Sequence, residues 1–84
     1  MTDSDIAEAV FKLLRARSPT ATICPSEVAR LLAPPDAAAA WRAVMPEVRR
    51  VAAALASANL LRVTRKGAPV DALSPGGPIR LGRP

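Results

Sequence analysis

The chain has 84 residues, with 12 Lys and Arg against 7 Asp and Glu, no His and one Cys. A chain of this length has room for one compact core, so we expect a single domain over residues 1–84. Without His and with a lone Cys, it has no internal disulfide, no zinc site of the usual Cys/His type and no Ser-His-Asp or Cys-His catalytic set. The sequence therefore favours a binding protein over an enzyme, with no metal and no cofactor.

Membrane insertion and secretion are also disfavoured. No stretch approaches the roughly 18 uninterrupted apolar residues that a membrane span requires. The opening Thr2-Asp3-Ser4-Asp5 is acidic, whereas a secretory signal begins with a basic region. We therefore expect a cytoplasmic protein with no membrane partner.

The positive charge is concentrated in the second half of the chain. Residues 1–41 contain four basic and five acidic side chains, whereas residues 42–84 contain eight basic and two acidic ones. A small domain with pI ≈ 11.1 and one basic half favours a polyanionic partner, with DNA as the first candidate. The alternative is a basic, solvated surface that keeps the protein soluble.

The periodicity of residues 3–17 predicts the first helix. Ile6, Val10 and Leu14 recur on one helical face, and Thr2 or Asp3 can cap the start. The β-branched stretch at residues 20–23 then predicts a short strand.

A second helix is predicted to begin after Cys24, which occupies the N-cap position. Pro25 suits the first helical position, and the Glu27 carboxylate can reach back to the cap N–H. The predicted buried stripe consists of Val28, Leu31 and Leu32. The prolines at 34 and 35 end this helix.

Residues 36–58 carry a further helical pattern that Pro46 interrupts. Because a Pro in a helix interior costs roughly 3 kcal/mol, we predict a helical turn through Trp41 and a new helix from about Met45. Trp41 is predicted to be the main aromatic of the core, and Asn59 to end the helix in the left-handed conformation. The predicted inward positions are Val44, Val48, Val51, Ala52 and Leu55.

The C-terminal part alternates as a β-hairpin. Strands are predicted at residues 61–64 and 78–81, with a turn at Lys66-Gly67 and a long Pro/Gly-rich loop. Paired in this way, Arg62 and Arg80 share the outer face, where their like charges repel. The predicted fold is α+β, winged helix-turn-helix-like, with three main helices and a C-terminal hairpin as the wing.

Several motifs of the chain together resemble those of one family. They are Ile23-Cys24-Pro25-Ser26-Glu27-Val28-Ala29-Arg30, Trp41-Arg42, Met45-Pro46, Val48-Arg49, Val63-Thr64-Arg65-Lys66-Gly67 and Gly77-Pro78-Ile79-Arg80-Leu81. In these motifs the chain is similar to a small bacterial family catalogued as a domain of unknown function, whose members look like stand-alone winged-helix domains. This resemblance implies a bacterial intracellular protein with a winged-helix fold, and it implies no activity, cofactor or residue role.

The candidate nucleic-acid-binding residues lie on the third helix and the wing. Arg42 and Arg50 are predicted on the outer helix face, with Arg49 at its boundary, and a guanidinium can grip a guanine edge or a phosphate. Arg65 and Lys66, at the predicted wing tip, are placed to contact the backbone of the same duplex.

The rest of the outer helix face is poor in side chains that recognise bases. It carries Ala43, Ala53 and Ala54, so we expect DNA binding of weak or no sequence specificity. The same smooth Ala surface favours a second hypothesis, a protein-interaction or homodimerisation module with no nucleic-acid role. Cys24, at a helix N-terminus, is either a small cap residue or a reactive thiol, and no second Cys or His is present to assist it.

Overall fold

Three helices pack against one face of a small antiparallel sheet in a computed structural model that describes residues 1–84. This arrangement confirms the predicted α+β class, with three main helices and a C-terminal hairpin. The elements in chain order are α1 (Asp3–Arg15), β1 (Thr22–Ile23), α2 (Pro25–Leu32), a 3₁₀ segment (Pro35–Ala40), α3 (Trp41–Ser57), β2 (Arg62–Arg65), β3 (Ala68–Pro69) and β4 (Arg80–Gly82).

Local signals set the start of α1. Thr2 is the N-cap, its hydroxyl accepts the Asp5 N–H, and the Asp5 carboxylate accepts the Thr2 N–H. This reciprocal capping box satisfies two backbone donors that the helix itself leaves unpaired. The helix ends at Arg15, two residues before the predicted end, and it buries the predicted Ile6, Val10 and Leu14.

Cys24 is the N-cap of α2, as predicted. Its N–H donates to Glu27 Oε2 at 2.7 Å, and Pro25 occupies the first helical position. The predicted buried stripe is correct at Val28 and wrong at Leu31, whose side chain is 44% exposed. Val28 and Ala29 are the residues that α2 buries in the core, and the helix packs against α1 and α3.

The prediction of a break before Met45 is wrong, since α3 is one continuous helix from Trp41 to Ser57 with Pro46 inside it. Pro46 has no N–H to donate to the carbonyl of Arg42, four residues earlier. Arg42 and Pro46 are both exposed, so water can bond to this carbonyl. A break there would have turned the partly buried Val44 away from the core.

The end of α3 follows the prediction at Asn59, whose φ of 60° is left-handed. The Leu60 N–H donates to the Leu55 carbonyl at 2.9 Å, and the Asn59 N–H donates to the Ala56 carbonyl at 3.0 Å. These two bonds form a Schellman motif, which caps the last carbonyls of the helix.

The sheet order is β1-β4-β2-β3, and all of its pairs are antiparallel. The long hairpin between β2 and β4 is confirmed, with Val63 opposite Leu81. The predicted turn at Lys66-Gly67 joins β2 to the short β3, and φ values of 53° and 82° give both residues the left-handed backbone of a type I′ turn.

The core is one cluster of 15 buried aliphatic residues contributed by all three helices and the sheet. Trp41, predicted to be the main aromatic of the core, is half-buried and packs against this cluster. Phe11, the other aromatic residue, is also half-buried. None of the helices has the length and apolar character of a membrane span.

Glu27 joins α2 to the segment that follows α1, since it accepts a hydrogen bond from Arg17 in addition to that from Cys24 N–H. The Arg17 guanidinium, followed by the Cys24 N–H, lowers the pKa of Glu27 from its usual 4.5. A carboxylate with a lowered pKa stabilises the fold above its unfolded pKa, and this contribution is lost as the pH falls through the folded pKa.

We therefore expect the free energy of unfolding to decrease below about pH 4.5, and Glu27→Gln to remove part of this decrease. At pH 7 the substitution should cost about 1 kcal/mol, because it removes the ion pair and weakens the cap. Urea denaturation at pH 7 and pH 3 measures both effects. Glu8→Gln, at an exposed carboxylate without a partner, is the control, and equal pH dependence in both variants would contradict the role of Glu27.

Candidate nucleic-acid interface

The first half of α3 carries two predicted site residues beside an open groove. Arg42 is exposed and Arg49 half-buried, and neither forms a hydrogen bond or an ion pair with a carboxylate. The groove, of about 530 Å³, is completed by Met45, Pro46 and Leu73. Leu73 comes from the loop after β3, so the structure brings the outer side of α3 next to the loop of the hairpin.

The ring of Trp41, at the start of α3, contacts two arginines. The guanidinium carbon of Arg30 lies 4.5 Å from the ring centroid, and that of Arg42 lies 4.7 Å from it. Each cation–π contact at an exposed site is worth about 0.5–1 kcal/mol, so the ring holds both guanidiniums in place. Two positive charges therefore lie against one ring, and neither forms an ion pair with a carboxylate.

Arg30 is an unpaired cation beside Trp41 that was not among the predicted site residues. It lies near the end of α2, where a basic residue is explained by the helix dipole. Its contact with Trp41 spans the 3₁₀ segment, and no local spacing rule predicts such a contact.

Arg50, a predicted site residue, has its guanidinium bonded to carboxylates within the protein. Its guanidinium donates to both Asp3 oxygens, at 3.0 and 2.6 Å, and to Glu47 Oε2 at 2.6 Å. The Arg50 hydrogen bond lowers the pKa of Asp3, and the two carboxylates raise the pKa of Arg50. Its charge is balanced, so the structure ties Arg50 to the start of α1 and leaves it out of the set of unpaired cations.

Arg65, also predicted to bind nucleic acid, is half-buried under the loop at residues 70–79. Its guanidinium donates to Ser74 Oγ and to the carbonyls of Ser74, Pro75 and Gly77, at 3.2–3.3 Å. Arg65 therefore holds the loop in shape, while Lys66 is exposed at the hairpin turn and has no partner.

Arg80 and Arg83 also contact backbone or side-chain oxygens of other elements. Arg80 donates to Thr22 Oγ1 and to the Thr22 carbonyl, both at 2.9 Å, and Arg83 donates to the carbonyl of Leu14 at the end of α1. Arg62 lies on the outer face diagonal to Arg80, as predicted. Because Arg80 turns toward Thr22, the expected repulsion between Arg62 and Arg80 is relieved without an external anion.

The outer Ala face is smaller than predicted. Ala43 and Ala54 are exposed, but Ala53 is half-buried and packs against the core. The exposed alanines therefore do not form a continuous smooth surface on α3. This weakens the hypothesis that a second helix packs closely against it.

Cys24 and the acidic residues form no evident reactive centre. Cys24 is half-buried, and its sulfur accepts the Ser26 hydroxyl at 3.1 Å. No group of three His, Cys, Asp or Glu side chains comes together to hold a metal ion. Chemically, the arrangement offers cationic donors, an aromatic face and an apolar groove.

The family comparison covers almost the whole molecule. A family model described as "Protein of unknown function (DUF3253)" matches residues 3–84, which include every helix and strand and all of the basic residues discussed above. No curated protein matches the sequence significantly.

Proposed function

The chain belongs to the DUF3253 family of proteins of unknown function, and from the placement of its unpaired cations we propose that it binds double-stranded DNA with weak or no sequence specificity. The proposed contacts are Arg30, Arg42 and Arg49 around α3 and Lys66 at the hairpin turn. Arg50 and Arg65 are the remaining candidates of the predicted site, and their internal hydrogen bonds must open before they can contact a phosphate.

The element order supports a winged-helix interpretation. A short strand precedes two successive helices, and the last strand pairs with both the first strand and the strand after α3. In a helix-turn-helix, the second helix of such a pair enters the major groove, and a hairpin beside it contacts the backbone. On this interpretation α3 is the recognition helix and Lys66 is the tip of the wing.

The observation that carries the proposal is the pair of guanidiniums at Trp41. Holding Arg30 and Arg42 against one ring keeps two like charges close, and this raises the local positive potential. Arg49 extends the row, because seven residues along a helix return to the same side about 10 Å further on. A phosphate backbone would relieve the repulsion and release its own counterions.

Weak specificity follows from the composition of α3. It contains no Asn or Gln, and its other exposed positions include Ala43, Pro46 and Ala54. Base discrimination in the major groove requires hydrogen-bonding side chains aimed at base edges. Contacts made mainly by Arg and Lys to phosphates bind many sequences alike.

We predict that log K for a generic duplex falls with log salt at a slope of about −3 to −4, as expected for four phosphate contacts. Arg42→Gln should reduce the magnitude of the slope by about one, because it removes one contact. Fluorescence anisotropy of a labelled duplex measures both quantities. The control is Arg15→Gln, which removes an exposed, unpaired arginine from α1. Binding that is absent at low salt, or an equal loss in both variants, would contradict the proposed interface.

Asp3→Asn tests whether the internal hydrogen bonds of Arg50 prevent it from contacting DNA. The substitution removes the bidentate ion pair between Arg50 and Asp3, and Glu47 is then the only carboxylate that pairs with Arg50. Duplex affinity should rise about threefold above that of Glu8→Gln, which removes the same charge without releasing Arg50. The same anisotropy assay compares the two variants, and equal affinities would show that Arg50 does not contribute.

A second candidate function is favoured by Leu73, whose side chain is 59% exposed in the groove with Arg42 and Arg49. An exposed apolar residue flanked by unpaired cations suits a protein partner that presents apolar and acidic side chains. A second copy of the chain is one such partner, since α1 is acidic in its first turn.

This candidate predicts that the mass measured by light scattering rises with protein concentration. Leu73→Ser should restore the monomer mass, whereas Leu60→Ser, at a leucine of similar exposure outside the groove, should not. A constant monomer mass in the unsubstituted protein would eliminate homodimerisation through this groove.

A further inference from the structure

The outer face of the sheet contains a polar pocket of about 350 Å³, away from the helices. Its lining includes no Asp or Glu side chain. Its volume lies within the range of small-ligand sites, although few apolar side chains line it. The residues that matter for its chemistry are Thr20, Thr22, Arg62, Thr64, Gly82 and Arg83.

Gly82 forms the floor of this pocket. In the sheet it lies opposite Thr22 on one side and opposite Arg62 on the other. The three residues share one face, and since neighbouring strands are about 4.8 Å apart, the missing side chain leaves a gap of about 10 Å between Thr22 and Arg62. A Cβ at Gly82 would lie 3.2 Å from Thr22 Cγ2, so any other residue would fill the gap.

The pocket is walled by hydrogen-bond donors. Arg62 is exposed and has no partner, and the Thr64 hydroxyl makes no hydrogen bond within the protein. Thr22 Oγ1 accepts from Arg80 Nε at 2.9 Å, so its own proton is directed elsewhere and is available to an acceptor.

We propose that this pocket binds a phosphate group, with the Arg62 guanidinium and the hydroxyls of Thr22 and Thr64 as donors and Gly82 as the open floor. A guanidinium and hydroxyls around a cavity that no Asp or Glu side chain lines match the several acceptor oxygens of a phosphate. Arg80 and Arg83 donate to oxygens of the protein and add positive charge around the pocket. The phosphate belongs either to a small molecule or to a nucleic-acid backbone.

An NMR titration with inorganic phosphate, at ionic strength held constant with chloride, tests the site. The amides of Thr22, Arg62, Thr64 and Gly82 should shift and saturate. Arg62→Gln should weaken binding about tenfold, because it removes a charged donor. The isosteric Thr64→Val should weaken it about threefold while preserving the fold.

Arg15→Gln is the matched control, because it removes an exposed, unpaired arginine from α1 and leaves the pocket intact. Phosphate binding should be unchanged in this variant. Shifts that do not saturate, or an equal loss in Arg15→Gln and Arg62→Gln, would overturn the pocket. The DNA proposal fails separately, since it depends on Arg42 and not on Arg62.

A second titration, with duplex DNA added to the phosphate-loaded protein, identifies the source of the phosphate. If DNA displaces inorganic phosphate and the phosphate-induced shifts of the pocket amides disappear, the site binds the nucleic-acid backbone. Retention of these shifts, while amides of α3 respond to DNA, assigns it to a small phosphorylated molecule.

Discussion

Arginine guanidiniums that bond to oxygens of distant elements hold this small domain together outside its core. Arg17 links the segment after α1 to α2, Arg50 links α3 to α1, and Arg83 links the segment after β4 to the end of α1. The core supplies only aliphatic packing, and no polar or charged side chain is buried in it. At this chain length the apolar surface available for burial is limited, so hydrogen bonds at the rim are needed to fix how the elements meet.

This use of arginine divides the basic residues into two groups. Those bonded to carboxylates or carbonyls have much of their hydrogen-bonding capacity occupied, and a ligand must compete with these internal partners. Those without such partners are the candidates for contact with a polyanion. The net charge of +5 alone does not distinguish the groups. Arg65 and Lys66 are adjacent in sequence, yet one shapes a loop and the other is exposed at a turn.

The sequence predicted well the features that neighbouring residues determine. The Cys24-Pro25-Glu27 start, the Lys66-Gly67 turn and the left-handed Asn59 depend on local backbone geometry. The errors concern tertiary contacts. Pro46 was expected to break α3. The carbonyl that loses its hydrogen bond to residue 46 is exposed to water, and the packing of Val44 and Val48 keeps the helix continuous.

The same distinction between local geometry and tertiary contacts explains which features of the candidate site were predicted. Arg42 and Arg49 were placed correctly because helical periodicity determines which face they share. The pairing of Arg50 with Asp3 joins residues 47 positions apart, and the contact of Arg30 with Trp41 crosses the 3₁₀ segment. Neither follows from spacing, and together they remove Arg50 from the set of unpaired cations and add Arg30 to it.

The two proposed binding surfaces belong to different layers of the fold. The outer side of α3 carries Arg42 and Arg49, whereas the pocket over Gly82 lies on the outer face of the sheet, whose inner face packs against α3 through β2. The hairpin turn connects the two surfaces, because Lys66 is a proposed DNA contact and its neighbour Gly67 lines the pocket. Two such sites would let one small domain respond to a phosphorylated ligand while its α3 surface remains free for a larger partner.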